Sequence, residues 1–560
     1  MAGIHVIMLA AFVAILYGAS RASYSQALPA SSAPLTLNNG TALFAPTTIL
    51  ISLDGFRADF LHRGLTPNLN SLVRNGVSPQ YMLPSFPSVT FPNHFTLVTG
   101  LYPESHGVVG NTFWDPELHA EFYYTDPERS MQPKWWKAEP LWETLEYAGV
   151  KTAIHMWPGS EAHIGRVEPA YVDVYNGKEL LSRKVDRVLS LLDLPGSDSP
   201  SAAVNTPRPQ LIALYVPDVD ADGHKFGPNS TEIRTTIRRA DDMIGDLISG
   251  LHERNLSDIV NVIVVSDHGM ATTSVDRLID IESLIDMNKV EHTDGWPSYG
   301  LRPKNTADLD DMYTGLKVHA QRLGSFEVYL KDKDMPERYH FANNDRIAPL
   351  WVIPMTGWAI VRKHELDEAM KEGVYHPRGI HGYDHEHPLM RAIFIARGPA
   401  FPHTPGSQLE VFQNIEVYNI VCDSVGVEPK ANNGTLRLPL QPVGLHGTLP
   451  PGEIAEDPAP TLTSAGTTVT AGVLNLNPAT PAQSTVASAL DPLSRLSQTD
   501  EPASLPTPLT PVMHDEPNKD DGVMWWTWAK GKLEGAKDWA ADLVHGVDDK
   551  EASNKGSDTP

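Results

Sequence analysis

Seven side chains of metal-binding or nucleophilic type, Asp54, Thr90, Asp220, His224, Asp267, His268 and His381, are scattered over more than half of the chain. Most of them close or follow a run of β-branched residues. TTILISLD ends in Asp54, LIALYVPDVDADGH carries Asp220 and His224, and NVIVVSDHGM carries Asp267 and His268. GIHGYD, which carries His381, precedes the apolar run AIFIA. Carboxylates and imidazoles are zinc ligands. They are numerous enough for two ligand sets, with a threonine hydroxyl to bridge them. Two-metal phosphoryl transfer needs that equipment.

Each feature also has an ordinary structural reading. Asp-Gly after a strand is usually a turn. Thr90 lies in PSFPSVTFPNHFTLVTG, a proline-punctuated loop entering a helix, where a hydroxyl is most often a cap. The same position offers a nucleophile a positive dipole and free amide donors. Threonine is a weak nucleophile unless activated, and a metal ion would activate it. Asp220 and His224 stand four apart, but Asp218 and Asp222 compete with Asp220, and spacing alone does not choose among these loop carboxylates. His376, His385 and His387 compete with His381 in the same way. Asn111 alone reads as a turn residue. Beside the others, its amide is a donor for a developing oxyanion.

The elements that must position these residues alternate. Strands are expected at Thr47–Leu53, Lys151–His155, Leu211–Val216, Val260–Ser266 and Arg391–Ala396. Helices are expected at Thr66–Asn75, Pro140–Ala148, Lys178–Leu192 and Thr231–Arg254. Such alternation predicts an α/β fold, a mainly parallel central sheet with helices on both faces. Ligands then bind at the carboxyl ends of the strands, where Asp54, Asp220, Asp267 and His268 fall. Residues 275–375 read as a more irregular insertion, a cap or side subdomain.

The chain has 560 residues, 41% of them hydrophobic, enough for a sizeable core. A net charge of −25 argues against an extended nucleic-acid face, so an anionic substrate must be attracted locally. The apolar run Ile4–Tyr17 is short for a membrane span and fits a signal peptide over residues 1–22, with a signal anchor as the alternative. Four sequons, at Asn39, Asn229, Asn255 and Asn433, agree with a secretory route. Cys422 is the single cysteine, which excludes an intrachain disulfide and a Cys-based zinc module. Composition shifts after residue 445. Residues 446–521 are rich in Pro, Ser, Thr and Ala and are expected to be disordered. Residues 522–547 carry Trp526, Ala529, Leu533, Ala536, Ala540 and Leu543 at spacings of three and four, an amphipathic Trp-rich helix. That helix either docks on the globular body or contacts a membrane surface.

The ordered series LDGFR, FPSVTFPNHFTLVTGLYPESHG, GNTFWDP, WPGSE, DADGHKFGP, SDHGM and GIHGYD resembles the nucleotide pyrophosphatase/phosphodiesterase family of the alkaline phosphatase superfamily. The resemblance covers roughly residues 46–436 and implies an alkaline-phosphatase-like three-layer αβα sandwich, with residues 45–445 as the phosphodiesterase catalytic domain. It implies two zinc ions, one held by Asp220, His224 and His381, the other by Asp54, Thr90, Asp267 and His268. The family pattern Asp-x-x-Gly-His selects Asp220. Thr90 becomes the nucleophile, Asn111 a phosphoryl-oxygen donor, and Phe91 and Tyr175 base-contacting aromatics. Val219 stands where a proline is often found. The implied reaction is hydrolysis of nucleotide phosphodiester and pyrophosphate bonds. It passes through a nucleotidyl-threonine and releases nucleoside 5′-monophosphates, outside the cell, at its surface or in a vacuole.

Rival chemistries on a similar core remain open. A choline-lipid phosphodiesterase would differ only in its pocket. A phosphomonoesterase would need an extra cationic group, for which Arg57 is the nearest candidate. A sulfatase would need a C/S-x-P-x-R motif, and Cys422 does not provide it. A binding protein without activity would be signalled by a missing ligand, and all seven residues are present.

Overall fold

Strand β1, Thr47–Leu53, is buried along its whole length. So are β5, Leu211–Val216, and β6, Val260–Val265. Strands buried on both faces read as continuous apolar runs, which is why these three match the sequence expectation to within a residue. In this computed structural model, which describes residues 37–196, 207–447 and Asp457, β1 lies between β5 and β6, parallel to both. The other strands of the sheet are β2 (Val77–Pro79), β3 (Thr152–His155), β4 (Tyr171–Asp173), β11 (Phe394–Arg397), β12 (Ser407–Leu409) and β13 (Pro442–Leu445). The nine-stranded order is β13-β12-β2-β11-β6-β1-β5-β3-β4. All but β11 and β13 run the same way.

Alternate residues of β1 enter different cores. Ile49 and Ile51 pack with Ile212, Leu214, Val262 and Val264 under helices α1 (Pro67–Asn75), α4 (Leu181–Leu192) and α6 (Thr231–Glu253). Leu50 packs with Ala213 and Ile263 under α2 (Thr90–Thr99), α3 (Leu141–Tyr147) and α8 (Val417–Ser424). The result is a three-layer αβα sandwich. Each fully buried Ile, Leu or Val contributes roughly 1.5–3 kcal/mol of transfer free energy. α6 shows how its sequence makes a helix. Ser230 caps it by accepting the Ile233 amide, and Ile233, Ile237, Ala240, Ile244, Leu247 and Leu251 form its buried stripe.

Two segments differ from the sequence expectation. The stretch around Asp220, expected as a loop, is helix α5, Asp218–Phe226, entered directly from β5. Gly223 lowers its helix propensity and leaves room for Met270, whose methyl would lie 3.0 Å from a Cβ at that position. The 275–375 insertion is also more regular than expected. It contains an antiparallel sheet of β7 (Val290–Asp294), β8 (Tyr299–Pro303), β9 (Phe326–Leu330) and β10 (Leu350–Pro354), in the order β7-β8-β10-β9. α7, Leu309–Leu323, packs Met312 and Leu316 into its own small core.

Asp457 returns to this body. It accepts the Thr272 amide at 2.8 Å and the Asn229 side-chain amide at 2.5 Å, and lies 3.3 Å from Arg57. The expected signal segment at 1–22, most of the 446–521 linker and the 522–547 helix lie outside the described residues. Among the described residues no helix is long and apolar enough to cross a membrane.

Candidate active site

The parallel strands deliver their ligand candidates to one end of the sheet. Asp54 follows β1, Asp267 and His268 follow β6, and α5 carries Asp220 and His224 away from β5. His381 follows the short strand Gly379–Ile380, and Thr90 is the first residue of α2. Thr90 Oγ1 is 3.3 Å from His268 Nε2. His268 Nε2 is 3.0 Å from Asp267 Oδ2 and 3.5 Å from Asp54 Oδ1. Asp220 Oδ1 is 3.4 Å from both His224 Nε2 and His381 Nε2, which are 3.1 Å from each other. The His268 and His381 rings stack at 3.6 Å. Two groups have ligand atoms within 4.8 Å of one another: Asp54, Asp267 and His268, and Asp220, His268 and His381. His224 adjoins the second, and His268 stands between the two.

The donor pattern shows what these atoms await. Each of the three imidazoles has Nδ1 beside a backbone carbonyl: His224 on Gly379 at 2.8 Å, His268 on Gly269 at 2.9 Å, His381 on Ser88 at 3.0 Å. A carbonyl only accepts, so Nδ1 carries the proton and Nε2 turns its lone pair to the cluster. Asp54 Oδ1, Asp220 Oδ1 and Asp267 Oδ2 are buried there without a hydrogen bond. Buried, unbonded carboxylate oxygens facing imidazole lone pairs are costly unless cations lie between them. The donor set fits zinc-type ions.

Electrostatics agree. Burial, and then the charges of Asp267 and Asp220, push the Asp54 carboxyl well above its usual range. Burial acts on Asp267 in the same sense, but His268 and His94 outweigh it and hold that carboxyl well below. Burial, and then His268 and His224, lower His381 well below an ordinary imidazole.

The competing residues point elsewhere. Asp218 faces Arg239 at 3.9 Å, and Asp222 accepts the Thr236 hydroxyl. His376 is exposed, His385 lies buried near Tyr339, and His387 accepts the Leu389 amide. Arg57 is buried and committed to Asp59, the Met270 carbonyl and Asp457. The Phe91 amide, in the first turn of α2, donates to Asn111 Oδ1 at 2.9 Å. That bond fixes the Asn111 side chain and leaves its Nδ2 as the donating end.

Phe91 is half-buried and packs on Phe122, Tyr124 and Trp136 at 5.7 to 6.2 Å. Tyr175 is 42% exposed, 6.2 Å from Tyr215. Burial, and then the Asp54, Asp218 and Asp220 charges, push its hydroxyl up.

Three further residues escaped sequence reasoning. The Tyr215 hydroxyl donates to Asp54 Oδ2, leaving Oδ1 for the cluster. His94 lies 3.3 Å from Asp267 Oδ2, 2.9 Å from the Thr90 carbonyl and 2.8 Å from Ser52 Oγ. Tyr124 packs on Phe91, and burial followed by the Asp220, Tyr175 and Asp54 charges raises its hydroxyl. His94 carried a signal, since it lies one helical turn after Thr90. Tyr124 carried none.

Comparison with known proteins places this geometry. Residues 48–384 match the family model for Type I phosphodiesterase / nucleotide pyrophosphatase. An uncharacterized pyrophosphatase/phosphodiesterase of Schizosaccharomyces pombe is 46% identical over 413 residues, 72% of this chain and 82% of that protein. Human ectonucleotide pyrophosphatase/phosphodiesterase family member 1 is 37% identical over 70% of this chain, and the match spans only 41% of the human protein. Venom phosphodiesterase of Macrovipera lebetinus is 38% identical over 69% of this chain and 44% of its own length. Among solved structures, murine ectonucleotide pyrophosphatase/phosphodiesterase 5, an inactive variant in complex with AMP, superposes with a TM-score of 0.62 at 31% identity. That match covers 70% of this chain and 97% of the murine one. With the family model spanning most of the strands that converge on the cluster, the chain belongs to the Type I phosphodiesterase / nucleotide pyrophosphatase family of enzymes.

Proposed function

We propose that the protein hydrolyses nucleotide phosphodiester and pyrophosphate bonds and releases nucleoside 5′-monophosphates through a covalent nucleotidyl-threonine. The observation that carries this reading is the convergence of three imidazole lone pairs and three unbonded carboxylate oxygens beside Thr90 Oγ1. Asp220, His224 and His381 would hold one zinc ion, and Asp54, Thr90, Asp267 and His268 a second. When bound, the two ions supply Lewis acidity and make hydroxyl groups acidic near neutral pH.

The chain's own residues then divide the work. Thr90 Oγ1 attacks phosphorus in line with the leaving group, from the first turn of α2. Asn111 Nδ2 donates to a non-bridging phosphoryl oxygen, held in place through the Phe91 amide. Phe91 and Tyr175 take the nucleobase. Water attacks the nucleotidyl-threonine from the opposite side and restores the Thr90 hydroxyl. An AMP complex of an inactive variant of a structural neighbour supports a nucleotide ligand.

The engagement of Arg57 with Asp59 and Asp457 removes the cation a phosphomonoesterase would use, so the diesterase reading is preferred. A choline-lipid diesterase shares the metal residues and differs in the aromatic pocket. The relatives named as ectonucleotide and venom enzymes support a secretory route to the cell surface or exterior, with the vacuole as the alternative destination on that route. A peripheral membrane contact would fall to residues 522–547.

The test is paired hydrolysis of p-nitrophenyl thymidine 5′-monophosphate and p-nitrophenyl phosphate by zinc-loaded protein, with and without chelator. Fast, chelator-sensitive cleavage of the diester and poor cleavage of the monoester are expected. The reverse preference would make the protein a monoesterase. Activity on neither, with turnover of a phosphocholine diester, would favour the lipid reading.

A further inference from the structure

The loop that displays Tyr175 has little apolar packing beyond the contact of that ring with Tyr215 at 6.2 Å. Its neighbours Val174 and Leu180 are 69% and 64% exposed. Such a segment is expected to be mobile unless polar contacts fix it. Polar contacts at its two ends meet on one residue. β3 ends in His155, whose side chain is 3% exposed. His155 Nδ1 is 2.8 Å from Asp173 Oδ2, and its Nε2 is 2.7 Å from Glu179 Oε2. Asp173 and Glu179 are the two ends of the Tyr175 loop. Each ring nitrogen thus faces one end of the loop at hydrogen-bond distance.

Other groups reinforce the two posts. Arg187 of α4 grips Asp173 with Nε at 2.8 Å and Nη2 at 3.0 Å. Lys184, buried in the same helix, lies 3.5 Å from Glu179. Within the loop the Tyr175 amide donates to Glu161 at 2.8 Å.

We propose that His155 is a positioning residue for substrate recognition, tying both ends of the 173–179 loop so that Tyr175 is held at the rim of the metal-ligand cluster. This rests on the reading of Tyr175 as a base-contacting aromatic. A base is recognised only if the ring is already in place, because ordering a free loop on binding costs affinity. His155 itself touches neither substrate nor metal ligands.

The experiment compares the full-length protein with His155→Ala, Glu179→Ala, Tyr175→Ala and the double variant His155→Ala/Tyr175→Ala. Glu179, 21% exposed against 3% for His155, provides a second route should His155→Ala fail to fold. Two substrates are used: p-nitrophenyl thymidine 5′-monophosphate, which carries a base, and p-nitrophenyl methylphosphonate, which does not. The expected result is a rise in KM for the base-bearing ester of about fivefold to tenfold, the size of a lost aromatic contact of 1–1.5 kcal/mol. Turnover of the methylphosphonate by His155→Ala and Glu179→Ala should stay within about twofold of the wild type. In the Tyr175→Ala background, loss of His155 should change the ratio no further. Equal losses on both substrates would show a merely structural role and overturn the inference. A base-specific loss in Tyr175→Ala with none in His155→Ala or Glu179→Ala would overturn it as well. An unchanged ratio in Tyr175→Ala would instead reject the reading of Tyr175 on which it rests.

Discussion

Asn substitution at each of Asp218, Asp220 and Asp222 tests the geometry of the centre directly. Residues two apart on an α-helix lie about 200° around its axis, so Asp218 and Asp222 share a side of α5 that Asp220 does not. Asp220 Oδ1 sits 3.4 Å from two imidazole nitrogens and accepts no hydrogen bond. Asp218 belongs to a part-exposed pair with Arg239 at 3.9 Å, and Asp222 to the Thr236 hydroxyl. Loss of an outer hydrogen-bond partner of a metal ligand costs about 10–100-fold in metal affinity. Loss of the ligand itself should therefore cost at least about 100-fold, or ~2.7 kcal/mol. A part-exposed ion pair is worth about 0–1 kcal/mol, so Asp218→Asn should shift zinc affinity by at most about fivefold. Asp222→Asn should cost about 1 kcal/mol of stability through its hydroxyl partner and leave zinc affinity unchanged. The assay is competition for zinc between each full-length variant and a chromogenic chelator, with thermal melts as the control for folding. Equal loss of zinc affinity in Asp218→Asn and Asp220→Asn would refute the assignment of α5's inner face.

Thr90 is buried and its hydroxyl has one hydrogen-bond partner, His268 at 3.3 Å, so Thr90→Ala should change stability by about 1 kcal/mol. It should nonetheless lower kcat on the order of 10³-fold or more, and stopped-assay turnover near that of the wild type would remove Thr90 as nucleophile. Tyr215→Phe removes the hydroxyl that holds Asp54 and should lower zinc affinity about 10–100-fold, read by the same chelator competition. His106 supplies the pH prediction. Burial lowers it from 6.5 to about 3, and it accepts the Val108 amide at Nδ1, which a protonated ring does not do. Its folded pKa lies below its unfolded one, so the stability is present above pH 6.5 and is lost as pH falls through that window. The slope is about 1.4 kcal/mol per pH unit between about pH 6 and 3. Thermal melts of His106→Gln over that range should show a shallower acid decline than the wild type, and an unchanged slope would mean that His106 is not the group responsible.

The strands were legible because burial on both faces writes an unbroken apolar run, as in TTILISL and VNVIVV. The ligand residues were legible for a related reason: they are polar residues at the ends of such runs. α5 was hidden because Asp218, Asp222 and Gly223 lower helix propensity. It forms because Val219 and His224 are buried and its first turn carries acidic residues at the favourable end of the dipole. The side sheet was hidden because its strands are only five residues long and three of the four mix buried with more exposed positions, as in Phe326–Leu330, with Leu350–Pro354 alone buried throughout. Tyr215 and Tyr124 were hidden for another reason. Their roles depend on partners more than a hundred residues away or across a pocket, which no local pattern encodes.

What holds the centre together lies behind the ligands. The register of β5 on β1 sets Tyr215 beside Ser52 on the face covered by α2. His94 fills the space between them. One nitrogen meets Ser52 Oγ, and the other meets the Thr90 carbonyl and lies 3.3 Å from Asp267 Oδ2. Tyr215 meets His94 edge-on at 5.0 Å and donates to Asp54. One layer, Ser52, His94 and Tyr215, therefore positions two carboxylates and the first turn of the nucleophile's helix together. Strand ends alone would leave each carboxylate free to rotate about its side-chain bonds. A cluster of like charges would drive them apart, and the raised Asp54 carboxyl records first its burial and then that repulsion. The supporting layer removes the rotational freedom before any cation arrives, so cation binding need not supply that ordering. The polar end of the sheet is thus made rigid by the same strand register that builds its apolar middle.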